Sequence, residues 1–154
     1  QVMYVQKIES PEILRAGLTV GSRVPAHCTA IGKVLLAYLP DDQLEEVVRL
    51  RGLDRYGPNT ITSLPELKAH LAAIRQRGYS IDDEELGADM RCIGAPIRNH
   101  MGEVVAGIAI AGPARRLTYD RLEELRPAVL GAADGISRRL GYVCASWSYP
   151  TSRS

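Results

Sequence analysis

Two apolar segments separated by a short turn constrain the fold of this 154-residue chain more than any other feature. Residues 91–98 and 103–112 are each long enough for a strand, and the four residues from Asn99 to Gly102 between them end in a glycine. A connection this short joins antiparallel neighbours, because parallel strands need a crossover of a dozen or more residues. The sequence therefore predicts an antiparallel hairpin at the centre of the fold.

Helix and strand signals on both sides of the hairpin predict a mixed fold. Thr29 is placed to cap an apolar helix through Tyr38, and Thr118 to cap a closing helix that ends at Gly141. Strands interleaved with helices around an antiparallel centre indicate an α+β sheet with helices on its faces. The other predicted segments are strands at 2–8 (ended by Ser10-Pro11), 17–24 and 79–85, and helices from the capping boxes Asp42/Glu45 and Ser63/Glu66, the second ending at Gly78.

One face of the hairpin carries only small side chains. Because side chains alternate between the faces of a strand, Ala109 and Ala111 share a face with Val105 and Gly107, while the opposite face holds larger residues. In the other strand the smaller set is Cys92, Gly94 and Pro96, and the two thin faces can align. Two explanations stay open: a hollow that holds a small ligand, or small residues that let a helix pack closely on the sheet.

Four consecutive acids, Asp82 to Glu85, lie in the predicted strand at 79–85, after the helix that ends at Gly78. Acids on both faces of a short strand require that at least one face be solvated, paired or turned toward a polar group. An edge strand in solvent is one explanation. The other is a strand that brings a carboxylate to the mouth of the hollow, with Asp82 and Glu84 on the same face.

Charge and cysteine usage restrict the function classes. A net charge of +1 gives no excess of basic residues that would attract the phosphate backbone of nucleic acid, so this part of the protein is not expected to bind DNA by itself. The longest apolar run, Val104 to Ala111, is far shorter than the roughly 20 residues that cross a bilayer. Three cysteines at unrelated spacings fit reduced thiols. We expect a cytoplasmic protein without a membrane partner.

Catalysis and cofactor binding have little support in the sequence. His27 and Cys28 are adjacent at a helix start, where the helix dipole can activate a thiol, but no third group orients the pair. A small buried cysteine is the simpler explanation. A cysteine-dependent hydrolase or redox enzyme using Cys28 or Cys92 is kept as the alternative. No metal site, nucleotide signature or cofactor is predicted, because the required ligand spacings and glycine motifs are missing.

A long segment of the chain resembles a known protein family. The segment Gly21-Ser22-Arg23-Val24-Pro25-Ala26-His27-Cys28-Thr29-Ala30-Ile31-Gly32-Lys33-Val34-Leu35-Leu36-Ala37 is similar to the entry segment of the effector domain of IclR-type (isocitrate lyase regulator) transcription factors. The likeness covers about residues 2 to 142. It continues through Gly78-Tyr79, the acids Asp82 to Glu85 with Gly87, Cys92-Ile93-Gly94-Ala95-Pro96-Ile97, Gly102 to Ala106, Gly112-Pro113 and Ile136 to Gly141.

The resemblance implies a non-enzymatic, ligand-sensing domain. Its fold is expected to be α+β and GAF-like, a curved antiparallel sheet flanked by helices that binds a metabolite on its concave side. Residues 1–142 are expected to form the effector-binding domain, starting inside its first elements, and 143–154 a tail. Regulators of this family also have a winged helix-turn-helix domain, which is absent here. DNA is expected to be contacted only through that domain. Self-association to dimers or tetramers is implied as well.

The resemblance also implies which residues hold the ligand. They are the backbone of Ala30 and Ile31, the side chains of Asp82, Met90 and Cys92, and the positions of Ala109 and Ala111 on the next strand. The family often has serines at those last two positions, so two hydroxyl donors are missing here. A less polar pocket suits a larger, partly aromatic acid or a similar catabolic metabolite, because an unmatched buried charge is costly.

Overall fold

A computed structural model describes residues 1–8 and 19–143. The described part has an α+β architecture, as predicted, with two antiparallel sheets and four helices. No helix in these two ranges is long and apolar enough to span a membrane. The elements are β1 (Val2–Met3), β2 (Arg23–Val24), α1 (Ala30–Ala37), α2 (Asp41–Arg51), α3 (Leu64–Arg77), β3 (Ser80–Asp83), β4 (Met90–Arg98), β5 (Val104–Pro113) and α4 (Tyr119–Arg139).

The predicted central hairpin is confirmed as strands β4 and β5. They pair antiparallel, and β3 adds to the other edge of β4, giving the order β3-β4-β5. The pairing places Cys92 opposite Ala111 and Gly94 opposite Ala109. The two thin faces are therefore aligned, as the alternation of side chains predicts.

Helices cover both faces of this sheet. The face with larger side chains packs against α4, in a core that includes Ile93, Ala95, Leu122 and Val129. The thin face packs against α1, which contacts all three strands. A second core joins α1 to α2 and α3 through the buried residues Val34, Leu36, Ala37, Leu44, Ile61, Leu67, Leu71 and Ile74. The thin face is thus the side of the sheet turned toward α1.

Three of the predicted helix starts are confirmed by their caps. The side chain of Thr29 accepts a hydrogen bond from the backbone of Gly32, and Ser63 and Thr118 make the equivalent bonds at α3 and α4. Such caps satisfy backbone N–H groups that a helix leaves without partners. Gly78 ends α3 in the left-handed conformation, with φ of 80°.

The capping box at Asp42 and Glu45 is wrong, although the helix exists. Pro40 occupies the cap position, makes no side-chain cap bond, and α2 starts at Asp41. Asp42 therefore lies inside the first turn, where its charge favours the positive helix end. Glu45 accepts instead from the Lys68 ammonium of α3, at 2.6 Å.

The strands at the start of the chain are shorter than predicted. β1 ends at Met3, and residues 4–8 are not strand, although the backbone N–H of Tyr4 still donates to Ser22 O at 3.1 Å. The second predicted strand is reduced to Arg23–Val24 because a turn precedes it, with Gly21 at φ of 88°. Three expectations lie outside the described residues: the strand end and turn at 9–11, the first two residues of 17–24, and the tail from 144 on.

Leu140 departs from the apolar stripe predicted for the closing helix. It is the C-cap of α4 and is 46% exposed, whereas Leu122, Val129 and Ala133 of the same stripe are buried. The helix ends at Arg139, two residues before Gly141, so Leu140 lies just beyond its last turn. Pro127 is accommodated inside α4.

Candidate functional site

Three predicted site residues lie in one row across the thin face. The strand register pairs Asp82 of β3 with Cys92 of β4, and Cys92 with Ala111 of β5. The next row, one pleat further, consists of Ser80, Gly94 and Ala109. Asp82 is fully buried, Cys92 and Ala109 are half-buried, and Ala111 is exposed. The row thus runs from the interior to the protein surface.

Helix α1 packs closely on the thin face behind this row. A Cβ atom built on Gly94 would lie 3.2 Å from Cβ of Ala30, and one on Gly107 would lie 3.0 Å from Cγ2 of Ile31. The Ser80 hydroxyl also donates to Ala30 O at 2.5 Å. For this half of the face, the explanation by close helix packing is correct. The small residues are what allow α1 to lie this near to the sheet.

The start of α1 lies over the second and third rows of the thin face. Ala30 packs against Gly94 of the second row, and Ile31 packs against Gly107 of the third. Thr29 satisfies the N–H of Gly32 at 3.0 Å, whereas the N–H groups of Ala30 and Ile31 have no partner among the described residues. Free amides at a helix start carry partial positive charge and accept anions well.

A buried lysine lies beneath the row. Lys33, the only charged residue of α1, is fully buried and forms an ion pair with Glu85. Its ammonium also donates to Ile81 O at 2.6 Å and lies 3.1 Å from Nε2 of His70. Burial lowers the pKa of Lys33, and the Glu85 carboxylate opposes that shift. A charge so deeply buried needs such partners, since desolvation is costly.

Two carboxylate oxygens beside Lys33 lack partners. Asp82 Oδ1 accepts from the backbone of Glu85 at 2.9 Å, but Asp82 Oδ2 and Glu85 Oε2 are buried without a hydrogen bond to any described residue. Burial raises the pKa of both carboxyls, against the nearby Lys33 charge, which lowers them. Buried polar atoms without partners are rare in folded proteins. Hydrogen bonds from the Cys92 thiol and the Leu86 backbone N–H also help to lower the pKa of Asp82.

Tyr4, Lys33 and Glu85 lie near this row, and the sequence reasoning did not name them as candidates. Burial raises the pKa of the Tyr4 hydroxyl to about 12, with contributions from the nearby Cys92, Asp82 and Cys28. Tyr4, which follows β1, therefore brings a phenol toward the row. A signal existed for two of the three: Tyr4 shares a face with the buried Val2, and Lys33 interrupts an otherwise apolar helix.

The expectation that Asp82 and Glu84 share a face is wrong. The strand ends at Asp83, and Glu84 takes a φ of 56°, so the alternation of faces stops there. The turn brings Glu85 rather than Glu84 to the side of Asp82. Met90, the remaining predicted ligand residue, is half-buried at the first position of β4.

Two clefts in the described ranges lie away from this row. One, of about 70 Å³, is lined by residues that include His27, Leu36 and Tyr56. The other, of about 220 Å³, lies between β4 and α4 and includes Arg98 and Tyr142. Neither contains a predicted ligand-binding residue.

The geometry gives no support to a cysteine nucleophile. Burial and the carboxylates of Asp82 and Glu85 raise the pKa of Cys28 to about 12, and burial also raises that of Cys92. A reactive cysteine requires the opposite shift. His27 does not activate Cys28, because its Nε2 is hydrogen-bonded to Asp54 O at 2.9 Å. In residues 1–8 and 19–143, no three ligating side chains are grouped for a metal ion.

Comparison with known proteins gives one consistent result. The family described as bacterial transcriptional regulator IclR C-terminal matches residues 1–138. Among curated proteins, the HTH-type transcriptional repressor AllR of Klebsiella pneumoniae is 39% identical over 141 residues, which are 92% of this chain and 52% of that protein. The chain thus spans about half the length of the curated relatives it matches.

Solved structures agree with the sequence matches. The Thermotoga maritima IclR structure superimposes with a TM-score of 0.86 at 38% identity, covering 91% of this chain and 57% of that one. A double mutant of the PobR inducer-binding domain from Acinetobacter, in complex with 3-hydroxybenzoic acid, gives a TM-score of 0.75 at 27% identity. That match covers 88% of this chain and 75% of the PobR chain.

Proposed function

Because the chain belongs to the IclR family of bacterial transcriptional regulators and matches their C-terminal part, we propose that it binds a small effector in front of α1. Residues 1–142 serve as the effector-binding domain and 143–154 as a tail. The relatives' names describe regulators, and the protonated thiols of Cys28 and Cys92 offer no nucleophile. The domain acts by binding rather than by catalysis.

The observation that carries this proposal is the meeting of two complementary features at one place. Ala30, at the start of α1, packs on the row next to that of Asp82, Cys92 and Ala111, and the N–H groups of Ala30 and Ile31 have no partner among the described residues. Amides at a helix start favour an anionic group, and the exposed Ala111 leaves the row open to solvent at one end. Met90 and Ala109 complete the apolar part of the site.

The effector we propose is an organic acid with a sizeable apolar body. Ala109 and Ala111 have methyl groups at positions where a hydroxyl could donate a hydrogen bond to a second carboxylate oxygen of the ligand. This face of β5 therefore favours contact with an apolar part of the ligand. The PobR domain, whose fold this chain shares, was crystallised with an aromatic acid. Catabolic acids with an aromatic ring fit both observations.

The regulatory step is a change of assembly. In the whole protein, DNA binding belongs to a winged helix-turn-helix segment N-terminal to this domain, and the protein acts in the cytoplasm. The effector controls DNA binding only if the effector binds one dimer or tetramer arrangement more tightly than another. Equal affinity for both arrangements would leave the equilibrium between them unchanged. Affinity and switching are therefore separate properties of this site.

Isothermal titration calorimetry with aromatic acids and short oxyacids tests the binding step. We expect at least one aromatic acid to bind, and Ala111→Leu to weaken it by at least about tenfold because the larger side chain fills the space over Cys92. Val105→Leu, on the same strand face but at the far end of β5, is the matched control and should leave the affinity unchanged. Absence of binding by every acid would contradict the proposal.

A further inference from the structure

We propose that residues 54–60, in the loop between α2 and α3, form a strap that positions the turn after β3 for effector binding, and that Thr60 is its main positioning residue. The inference rests on the proposed function and adds a positioning element to it, because no residue of the strap is a candidate ligand-binding residue. The strap contacts two separate parts of the site, namely the residues that precede α1 and the turn that carries Glu85.

Thr60 makes the closest attachment between the strap and the turn. Its buried hydroxyl accepts from the backbone N–H groups of Tyr56 and Gly57, at 3.0 and 2.8 Å, and donates to Glu85 O at 2.6 Å. A hydroxyl has one donor and two acceptor positions, so these three bonds use all of them. One side chain therefore closes the strap and joins it to the turn.

Two neighbours of Thr60 contact the same turn. The side-chain amide of Asn59 donates to Asp83 O at 3.0 Å, and its backbone N–H donates to Glu84 O at 3.3 Å. Gly57 lies so close to the turn that a Cβ atom built on it would be 2.2 Å from Glu84 O. Close approach of two backbones in this way requires glycine. The strap thus contacts three consecutive carbonyl groups of the turn.

The turn transmits this restraint to the predicted ligand-binding residues. Glu84 has a φ of 56°, a conformation that a residue with a side chain keeps only where its surroundings fix it. The backbone N–H of Glu85 donates to Asp82 Oδ1 at 2.9 Å, and the Glu85 carboxylate pairs with Lys33 of α1. A displaced turn would therefore move the Asp82 carboxylate and weaken a buried ion pair.

The other end of the strap is attached beside the start of α1. His27 is buried, and its Nε2 donates to Asp54 O at 2.9 Å, while its ring lies 5.9 Å from the ring of Tyr56. His27 lies two residues before Thr29, the cap of α1. The strap therefore connects the helix start with the turn. A fixed connection keeps both in one geometry before the effector arrives, which reduces the cost of ordering the site on binding.

Hydrogen exchange of the unliganded chain, followed by ¹⁵N–¹H NMR, tests whether the strap positions the turn. Thr60→Val removes the hydroxyl and keeps the size of the side chain, and we expect the Glu85 amide to exchange at least about tenfold faster because the turn opens more often. Thr60→Ser keeps the hydroxyl and should retain slow exchange. Ser137→Ala is the matched control, because it removes a buried hydroxyl that joins α4 to Arg98 of β4. Unchanged exchange in Thr60→Val would overturn the inference.

Calorimetry with 3-hydroxybenzoate tests the effect of the strap on binding. We expect Thr60→Val and Gly57→Ala each to weaken binding by at least about tenfold, and Thr60→Ser and Ser137→Ala to bind like the unmodified chain. Gly87→Ala is the control for Gly57→Ala, because a Cβ atom at Gly87 would meet no atom within 4 Å.

The outcomes separate this inference from the proposed function. Unchanged affinity in a folded Thr60→Val variant, checked by circular dichroism, would overturn the inference and leave the proposed function intact. Failure of every aromatic acid and short oxyacid to bind the unmodified chain would contradict the proposed function, whereas the exchange experiment tests the strap without any ligand.

Discussion

At the scale of single residues, the interior of the site is governed by charge balance around Lys33. The lysine is buried with two carboxylates, and Glu85 and Asp82 both have raised pKa values because burial penalises their charged forms. Each of these groups depends on the others, since removing one partner leaves a buried charge uncompensated. The cluster therefore determines stability and ligand polarity together.

Lys33→Met tests the importance of the lysine for stability. The substitution leaves Asp82 and Glu85 buried without a cation, and we expect the free energy of unfolding to fall by about 3 kcal/mol. Urea unfolding monitored by circular dichroism measures it. Lys68→Met is the matched control, because Lys68 is partly exposed in its pair with Glu45, and its loss should cost at most about 1 kcal/mol. Equal effects of the two substitutions would contradict the account.

His70 gives the protein a pH dependence of known sign. Its pKa is lowered from 6.5 to about 4, first by burial and then by the Lys33 charge, so the unfolded chain binds a proton more readily. The contribution of neutral His70 to the free energy of unfolding is therefore complete above pH 6.5, and it is lost as the pH falls toward 4. We expect His70→Gln to reduce that loss, as measured by urea unfolding across this range.

At the scale of secondary-structure elements, the hairpin was the most predictable part of the fold. The short turn at Gly102 fixes an antiparallel pair, and the alternation of small and large residues then fixes which faces align. The helices with caps at Thr29 and Thr118 were predictable for the same local reason. The start of α2 was not, because Pro40 and two acids allow several cap positions that differ little in energy.

Gly94 provides a test of close packing between α1 and the sheet. Gly94→Val would place methyl groups against Ala30, whose backbone is 3.3 Å from the position of a Cβ, so we expect the free energy of unfolding to fall by about 1–3 kcal/mol. Gly131→Ala is the matched control. Gly131 is exposed in α4 with open space around its Cβ position, and the change should stabilise the helix by about 0.5–1 kcal/mol.

At the scale of the whole molecule, the site is assembled from segments that are far apart in the sequence. Tyr4 after β1, Glu85 in the turn after β3, and residues of β3, β4 and β5 come together at one end of the thin face. The resemblance named Asp82, Cys92 and the start of α1, because those positions lie in recognisable motifs. It did not name Tyr4 or Glu85, since their approach depends on strand lengths and on a turn at Glu84 that side-chain alternation cannot reveal.

Sedimentation velocity tests the proposed coupling between effector and assembly. With saturating effector, we expect the distribution between dimers and larger oligomers of the chain to shift, because only a difference in affinity between assemblies transmits a signal. An unchanged distribution at full occupancy would mean that this domain binds the effector without switching its assembly.

The most direct test of the central claim is a titration of the ¹⁵N-labelled chain with 3-hydroxybenzoate, followed by two-dimensional ¹⁵N–¹H NMR. The account predicts that the amide signals of Ala30 and Ile31 shift first and most, together with those of Cys92 and Ala111. Shifts confined to the cleft around Arg98 and Tyr142, with Ala30 and Ile31 unmoved at saturation, would contradict it.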